Sequence, residues 1–243
     1  MIHSTKGIVL RSIKYGETSL VVNIFTELFG IQAYMVNGVR TQGKNVKAHL
    51  FQPASILDLQ VYHSELKNLQ RIKEVKWNHI YKNILSNVTR NAVALYMVEL
   101  LQKCLKQPEN NHKLFEFVED AFLALDIAED TITANFPIYF SLHLAKFFGL
   151  SIEDSYSSAL PVLDLQEGKF ISQPPHHQHF VEGDQSYYIS QLIKTMHPDE
   201  LAHMKINKSL RREILSAFQD FYALHMPEFG KMKTLPVLQE LLM

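Results

Sequence analysis

The sequence is poor in cysteine and in long apolar runs, and each absence excludes a class of protein. Cys104 is the single cysteine among 243 residues, so an intrachain disulfide is impossible and a cytoplasmic location is expected. No stretch approaches the roughly 18 to 20 apolar residues of a membrane-spanning helix. The first residues, Met1–Lys6, are not followed by the apolar segment of a signal peptide, so none is predicted.

Sequence motifs of catalysis are absent as well. The chain has no phosphate-binding loop, no Gly-x-Ser-x-Gly, no His-Glu-x-x-His and no dinucleotide-binding glycine pattern. Adjacent acid pairs such as Glu119-Asp120 point apart on a helix, so they indicate surface charge rather than acid–base chemistry. We therefore expect a protein that is not an enzyme and that carries no cofactor.

Charge is nearly balanced overall, with a net charge of −1, but it is unevenly distributed. Residues 1–80 hold ten Lys and Arg against five Asp and Glu, whereas residues 81–243 hold fourteen against twenty. A basic first part joined to an acidic second part indicates an anionic partner for the first part only. Ordinary scatter of surface charge is the alternative interpretation.

The first 80 residues alternate short apolar runs with turn residues, a pattern typical of an antiparallel β-barrel. Leu69–Trp77 is ambiguous, because its apolar residues lie three apart and also suit a helix. Five short strands fit a barrel of the oligonucleotide-binding (OB) type, and also an SH3-like barrel. The predicted strands are Gly7–Ile13, Ser19–Glu27, Gly30–Val36, Ser55–His63 and Leu69–Trp77.

From about residue 80 the apolar spacing becomes helical, which predicts an α+β protein of two domains, 1–79 and 80–243. Pro137 suits the first turn of its predicted helix. Serine, proline and glycine interrupt the helical pattern at 151–185, so an inserted loop or hairpin is expected there. The predicted helices are an apolar stripe from Val93 to Leu105, then Leu114–Leu125, Phe136–Leu150, a long helix with its apolar face from Ile206 to Leu224, and Leu235–Leu242.

Basic residues of the first domain form the main candidate site, since a groove of cations can track a phosphate backbone. Aromatic residues nearby could stack on unpaired bases, and we consider Tyr15, Phe29, Tyr34 and Tyr62 for this role. A solvated basic surface over an aromatic core is the alternative. The candidates, which include a flexible basic loop at 37–47, are Lys6, Arg11, Lys14, Arg40, Lys44, Lys47, Arg71, Lys73 and Lys76.

A second basic group, Lys205, Lys208, Arg211 and Arg212, is predicted at the start of the long helix. Cations there oppose the helix dipole, so their placement hints at a use such as phosphate binding, with a solvated face as the alternative. His176, His177 and His179 lack the spacing of a structural zinc site, so no metal is predicted.

Short motifs along the chain are similar to those of the bacterial recombination mediator family RecO, in the order and spacing of that family. The similarity is strongest at residues 6–60 and returns near the C-terminus. The motifs are Gly7-Ile8-Val9-Leu10, Tyr15-Gly16-Glu17, Phe25-Thr26, Gly30, Gly38-Val39-Arg40, Gln52-Pro53, Arg211-Arg212, His225–Phe229 and Lys233–Leu238.

This resemblance implies an OB-type domain, a helical domain and a non-enzymatic protein of the bacterial nucleoid. It implies binding of single- and double-stranded DNA, annealing of complementary strands, and loading of RecA, together with RecR, onto DNA coated by single-strand binding protein. The acidic, apolar C-terminal tail of the coat protein is a further implied partner.

One feature departs from the pattern of the resembled family. Many members carry a four-cysteine zinc module in the region that corresponds to 151–185, which has no cysteine here, so zinc is not expected. The rival hypothesis is an OB-fold scaffold that acts only as a protein-interaction module, without DNA affinity of its own.

Overall fold

Five N-terminal strands close into a barrel in the computed structural model, which describes residues 1–38 and 45–242. The strands neighbour one another in the order β1-β2-β3-β5-β4, and β4 pairs back to β1. Only the pairing of β3 with β5 is parallel among these five pairings. The predicted barrel is thus confirmed, and the ambiguous fifth segment is a strand. The strands are β1 (Ile2–Tyr15), β2 (Ser19–Thr26), β3 (Gly30–Val36), β4 (Ile56–Tyr62) and β5 (Leu69–Trp77).

The long first strand closes the barrel because it pairs with two neighbouring strands. Its first half pairs with β4, and its second half pairs with β2 after an irregularity between Val9 and Arg11 that bends the strand. At Gly7 a Cβ atom would lie 2.5 Å from Ile24 Cγ2 and 2.8 Å from Leu59 Cδ1. The barrel interior therefore leaves no room for a side chain at this position.

Apolar side chains fill the barrel at every second position of its strands. Leu57, Leu59 and Val61 of β4 point inward, as their alternation predicts. Burial of these apolar side chains stabilises the fold by roughly 1.5 to 3 kcal/mol each. The interior cluster also contains Val9, Leu20, Val22, Ile24, Tyr34, Leu50 and Phe51.

The remainder of the chain is mainly helical, with one small sheet of order β7-β6-β8. This sheet confirms the hairpin predicted within 151–185, while its third strand and helix α4 were not predicted. Short 3₁₀ helices occupy Asn45–Phe51 and Pro198–His203. The elements are α1 (Val88–Cys104), α2 (His112–Ile127), α3 (Asp130–Lys146), β6 (Val162–Asp164), β7 (Lys169–Ile171), β8 (Phe180–Val181), α4 (Asp184–Lys194), α5 (Lys208–His225) and α6 (Thr234–Leu242).

The prediction for Pro137 is wrong, because α3 begins at Asp130 and the proline lies inside the helix. A proline at this position removes one backbone donor from the helix. Buried polar contacts surround the site: Ser141 Oγ donates to the Pro137 carbonyl at 2.7 Å, and Tyr222 Oη donates to the Ser141 carbonyl at 2.8 Å. Helix α3 therefore continues past Pro137, and a tertiary contact from Tyr222 stabilises the turn that follows the proline.

Two compact units make up the chain. The first comprises Met1–Lys82 and Leu105–Leu123, and the second comprises Asn83–Cys104 and the chain from Ala124 onward. The sequence-based boundary between residues 79 and 80 stays a prediction. No helix within 1–38 and 45–242 is long and apolar enough to cross a membrane.

Candidate nucleic-acid interface

The outer surface of four neighbouring barrel strands carries two rows of side chains, because directly paired residues point to the same side of a sheet. The strand order along each row is β1, β2, β3 and β5. The first row is Arg11, Asn23, Ala33 and Leu69, and the second is Ile13, Val21, Met35 and Arg71.

Each row contains one arginine, and the two arginines stand on the two outermost strands of this four-strand surface. Arg11 stands on β1 and Arg71 on β5, and both are exposed. Between them lie small, apolar or amide side chains, and the two rows, whose members are all described, contain no carboxylate. We call these eight residues the outer face. It combines cations for phosphate oxygens with an uncharged centre on which bases can lie.

Exposed aromatic rings flank the outer face. Tyr62 pairs with Arg71 and extends the second row onto β4, while Tyr15 stands at the end of β1 opposite Ser19. These two rings are 47% and 59% exposed, respectively. Tyr34 is fully buried in the barrel interior, where burial raises its pKa, so its predicted role as a stacking surface is wrong.

Three lysines of the predicted set lie beside carboxylates instead. Lys6 Nζ lies 2.9 Å from both carboxylate oxygens of Glu119, and this hydrogen bond raises the pKa of Lys6. Lys76 lies 3.4 Å from Asp58 Oδ2, and Lys73 lies 3.9 Å from Glu74 Oε1. These three lysines therefore lie on a surface of mixed charge, apart from the outer face. The amino-acid composition alone does not distinguish them from Arg11 and Arg71.

The remaining candidates of the first domain are placed less completely. Lys14 is exposed near the end of β1. Arg40 and Lys44 lie outside the described residues, and of Lys47 only the backbone is described, within the first 3₁₀ helix. The role predicted for this loop stays a prediction.

Three of the four residues in the second basic group belong to the long helix. Helix α5 begins at Lys208 behind the N-cap Asn207, and Lys205 precedes it. Arg211 is buried and donates through Nη2 to the Ile206 carbonyl at 3.1 Å, and burial lowers its pKa. Lys208 and Arg212 are exposed, and Arg212 lines a groove with Glu213 and Asp220. The group thus offers at most three cations to solvent, one of them beside two acids.

The histidines near the inserted sheet include His177, which lies beside Asp164, whose carboxylate accepts backbone hydrogen bonds. Asp164 Oδ1 accepts hydrogen bonds from the backbone N–H groups of Gln166 and Glu167, and Oδ2 lies 3.4 Å from His177 Nε2. Nowhere in the described part of the chain are three or more His, Cys, Asp or Glu residues arranged to hold a metal ion. The residues present therefore do not fit the zinc module that the resemblance implies for many family members.

Sequence reasoning missed the uncharged residues of the outer face, which are Ile13, Val21, Asn23, Ala33, Met35 and Leu69. These residues carry no charge pattern that marks them in the sequence. Their grouping depends on strand pairing, and in particular on the parallel contact between β3 and β5. Side chains alternate between the interior and the exterior along β2 and β3, and this alternation is the sequence signal that could have identified some of these residues.

Comparison with known proteins agrees with this architecture. The family model "Recombination protein O N terminal" matches residues 1–81, and "Recombination protein O C terminal" matches residues 85–235. The chain is 29% identical to the DNA repair protein RecO of Azobacteroides pseudotrichonymphae, over 98% of each chain. It is 30% identical to that of Bacteroides fragilis (strain YCH46) and 31% identical to that of Christiangramia forsetii, in both cases over 99% of each chain. The chain therefore belongs to the Recombination protein O family of DNA repair proteins.

Proposed function

We propose that this chain is a recombination mediator that binds single- and double-stranded DNA through the outer face of its barrel. It acts without catalysis, in the bacterial cytoplasm at the nucleoid. The observation that carries the proposal is the placement of Arg11 and Arg71 on opposite edges of a carboxylate-free surface. Cations in this arrangement can hold a sugar–phosphate backbone while bases lie on the uncharged centre.

Availability of the two arginines supports this assignment. Within the described residues, no salt bridge involves Arg11 or Arg71, whereas Lys6, Lys73 and Lys76 each have an acidic partner. DNA phosphates then compete with water at the arginines but with carboxylates at the lysines. Binding is expected to be independent of sequence, because phosphate contacts carry no base information.

A titration of fluorescent single-stranded DNA tests the proposal. The double variant Arg11→Ala/Arg71→Ala should bind about thirtyfold more weakly, since each lost phosphate contact costs about 1 kcal/mol. Lys76→Ala is the matched control, because Lys76 lies on the same strand as Arg71 but beside Asp58. Equal affinities of the double variant and the control would contradict the assignment of the outer face.

Annealing and RecA loading are the further activities that we propose. Neutralising the phosphates of two complementary strands lowers their mutual repulsion, so annealing needs no catalytic residue. Mixing complementary labelled strands with wild type and with the double arginine variant measures this activity directly. RecR and the acidic tail of single-strand binding protein are the proposed protein partners, and their binding is tested with purified partners.

The protein-interaction scaffold is the competing outcome of these experiments. A wild-type chain that binds neither single- nor double-stranded DNA at low salt, yet binds RecR or the coat-protein tail, would replace the DNA-binding proposal with that function.

A further inference from the structure

A pocket of about 430 Å³ opens beside the outer face, where the loop between β4 and β5 meets the beginning of β3. Phe29, His63 and the loop residues Asn68 and Asn110 are among the residues that line it. Ala33 belongs both to the pocket wall and to the first row of the outer face, so the two surfaces are continuous. A strand that crosses the outer face therefore passes the mouth of this pocket.

Two stacked aromatic rings are among the residues that line the pocket. The rings of Phe29 and His63 stack with centroids 3.9 Å apart and planes inclined by 12°. His3 packs edge-on against Phe29 at 5.2 Å, which fixes the orientation of the pair. Burial, and then the neighbouring His3, lowers the pKa of His63, which favours the neutral form of its ring. Neutral aromatic surfaces of this kind stack well on nucleobases.

The remaining lining mixes apolar residues, among them Leu28, Ile31 and Pro108, with polar ones, and it carries no net charge. Asn68 and Asn110 supply amide donors and acceptors, while Lys67 and Glu65 contribute one charge of each sign. Such a lining matches the neutral hydrogen-bonding edge of a base better than it matches a phosphate group.

Partly buried hydrogen bonds hold the lining of the pocket in place. The side chain of Gln70 accepts from the Ser64 N–H at 3.0 Å and donates to the carbonyls of Ser64 and Lys67 at 2.8 and 2.6 Å. Gln32 donates to the Phe29 carbonyl at 3.0 Å. The β4–β5 loop and the aromatic pair are thus pre-organised, which lowers the entropy lost on binding.

We propose that this pocket takes up one unstacked base of a single strand lying across the outer face, with the Phe29–His63 pair as its stacking surface. The proposal rests on the proposed function, since it assumes that single-stranded DNA lies on that face. It adds a contact that double-stranded DNA cannot make, because paired bases stay stacked within the duplex. The pocket would therefore favour single strands over duplexes.

Anisotropy titrations with two single strands of about 16 nucleotides test this proposal. One strand is oligothymidylate, and the other has the same backbone but no bases. Phe29→Leu should weaken binding of oligothymidylate about fivefold or more, the usual effect of losing one stacked base, and leave the base-free strand unchanged. Tyr187→Leu is the matched control, because Tyr187 is an exposed aromatic residue of the second unit.

A second variant keeps the test decisive if Phe29→Leu fails to fold. Phe29→Trp preserves an aromatic surface, and its emission should be quenched by oligothymidylate but not by the base-free strand. Trp77 is the only tryptophan of the chain, so the wild type gives the background signal. Absence of base-dependent quenching would overturn the pocket proposal.

The outcomes separate the pocket from the proposed function. If the double arginine variant weakens both strands while Phe29→Leu changes neither, the outer face stands and the pocket proposal falls. Equal weakening of both strands by Phe29→Leu would also overturn it. A wild type that binds neither strand at low salt overturns the proposed function and the pocket together.

Discussion

At the residue scale, Gly30 shows why one turn of the barrel requires glycine. Its φ of +62° lies in the left-handed region, and a Cβ atom would collide with the backbone carbonyl of Glu109. Backbone atoms cannot rotate away as a flexible side chain can, so the collision adds to the conformational strain. A glycine in a turn predicts a positive φ, but the sequence does not predict the close approach of Glu109.

Gly30→Ala should therefore lower the free energy of unfolding by about 2 to 4 kcal/mol, the sum of left-handed strain and overpacking. Gly16→Ala is the control, because Gly16 has a similar φ of +58° but open space around its Cβ position. This control should cost only about 1 kcal/mol. Urea unfolding of both variants measures the difference, and equal losses would show that the Glu109 approach is unimportant.

His143 makes stability depend on pH. It is buried on α3, with Nδ1 3.3 Å from Lys146 Nζ, and burial followed by the nearby Lys146 lowers its pKa to about 4. An unfolded chain protonates its histidines near pH 6.5, so below that pH the unfolded state binds the extra proton first. The stability contributed by the neutral ring is complete above about pH 6.5 and is lost as the pH falls toward 4.

Wild type should consequently lose about 2 kcal/mol of unfolding free energy between pH 7 and pH 5 from this residue alone. His143→Leu removes the titration, so its unfolding free energy should change less over the same range. Urea unfolding at the two pH values gives the comparison. A variant with the same pH dependence as wild type would rule out His143 as the source.

At the scale of elements, the spacing of apolar residues and the positions of turn residues predicted most of the strands and helices. Strand β4 was predictable because one face is buried and the other exposed, which forces strict alternation. The start of α3 was not predictable, since Pro137 favours a first turn and only the packing of Ser141 and Tyr222 shows otherwise. The outer face was only partly predictable, because arginines are visible in a sequence but the register that joins Arg11 to Ala33 is not.

The turn of the inserted sheet is held by a carboxylate. Asp164 ties the β6–β7 turn through two backbone hydrogen bonds and lies beside His177. Asp164→Ala should speed amide exchange in β6 and β7 and destabilise the sheet by about 1 to 3 kcal/mol, the cost of hydrogen bonds to a charged group. Glu182→Ala, at an exposed position just after β8, serves as the control.

Metal removal should leave the same sheet intact. Treatment of the wild-type chain with a chelator is expected to change neither its amide exchange nor its melting temperature, because among the described residues no three His, Cys, Asp or Glu side chains are arranged to hold a metal ion. Faster exchange of β6 after chelation would contradict this account.

At the scale of the whole molecule, a net charge near zero does not argue against DNA binding. The net positive charge belongs to residues 1–80. Within the described part of the barrel, Lys6, Lys73 and Lys76 pair with acids, whereas the arginines of the outer face have no salt bridge to another described residue. Local placement therefore matters more than total charge for a phosphate backbone. Weak, salt-sensitive binding is the expected consequence.

The dependence of single-strand affinity on salt tests the central claim most directly. Titrations from about 50 to 200 mM salt should give a falling log–log plot for wild type, and the slope should become shallower by about 1.4 in Arg11→Ala/Arg71→Ala, since each single-strand phosphate contact contributes about 0.7. An unchanged slope in the double variant, or no binding by wild type at the lower salt, would contradict the outer face as the DNA-binding surface.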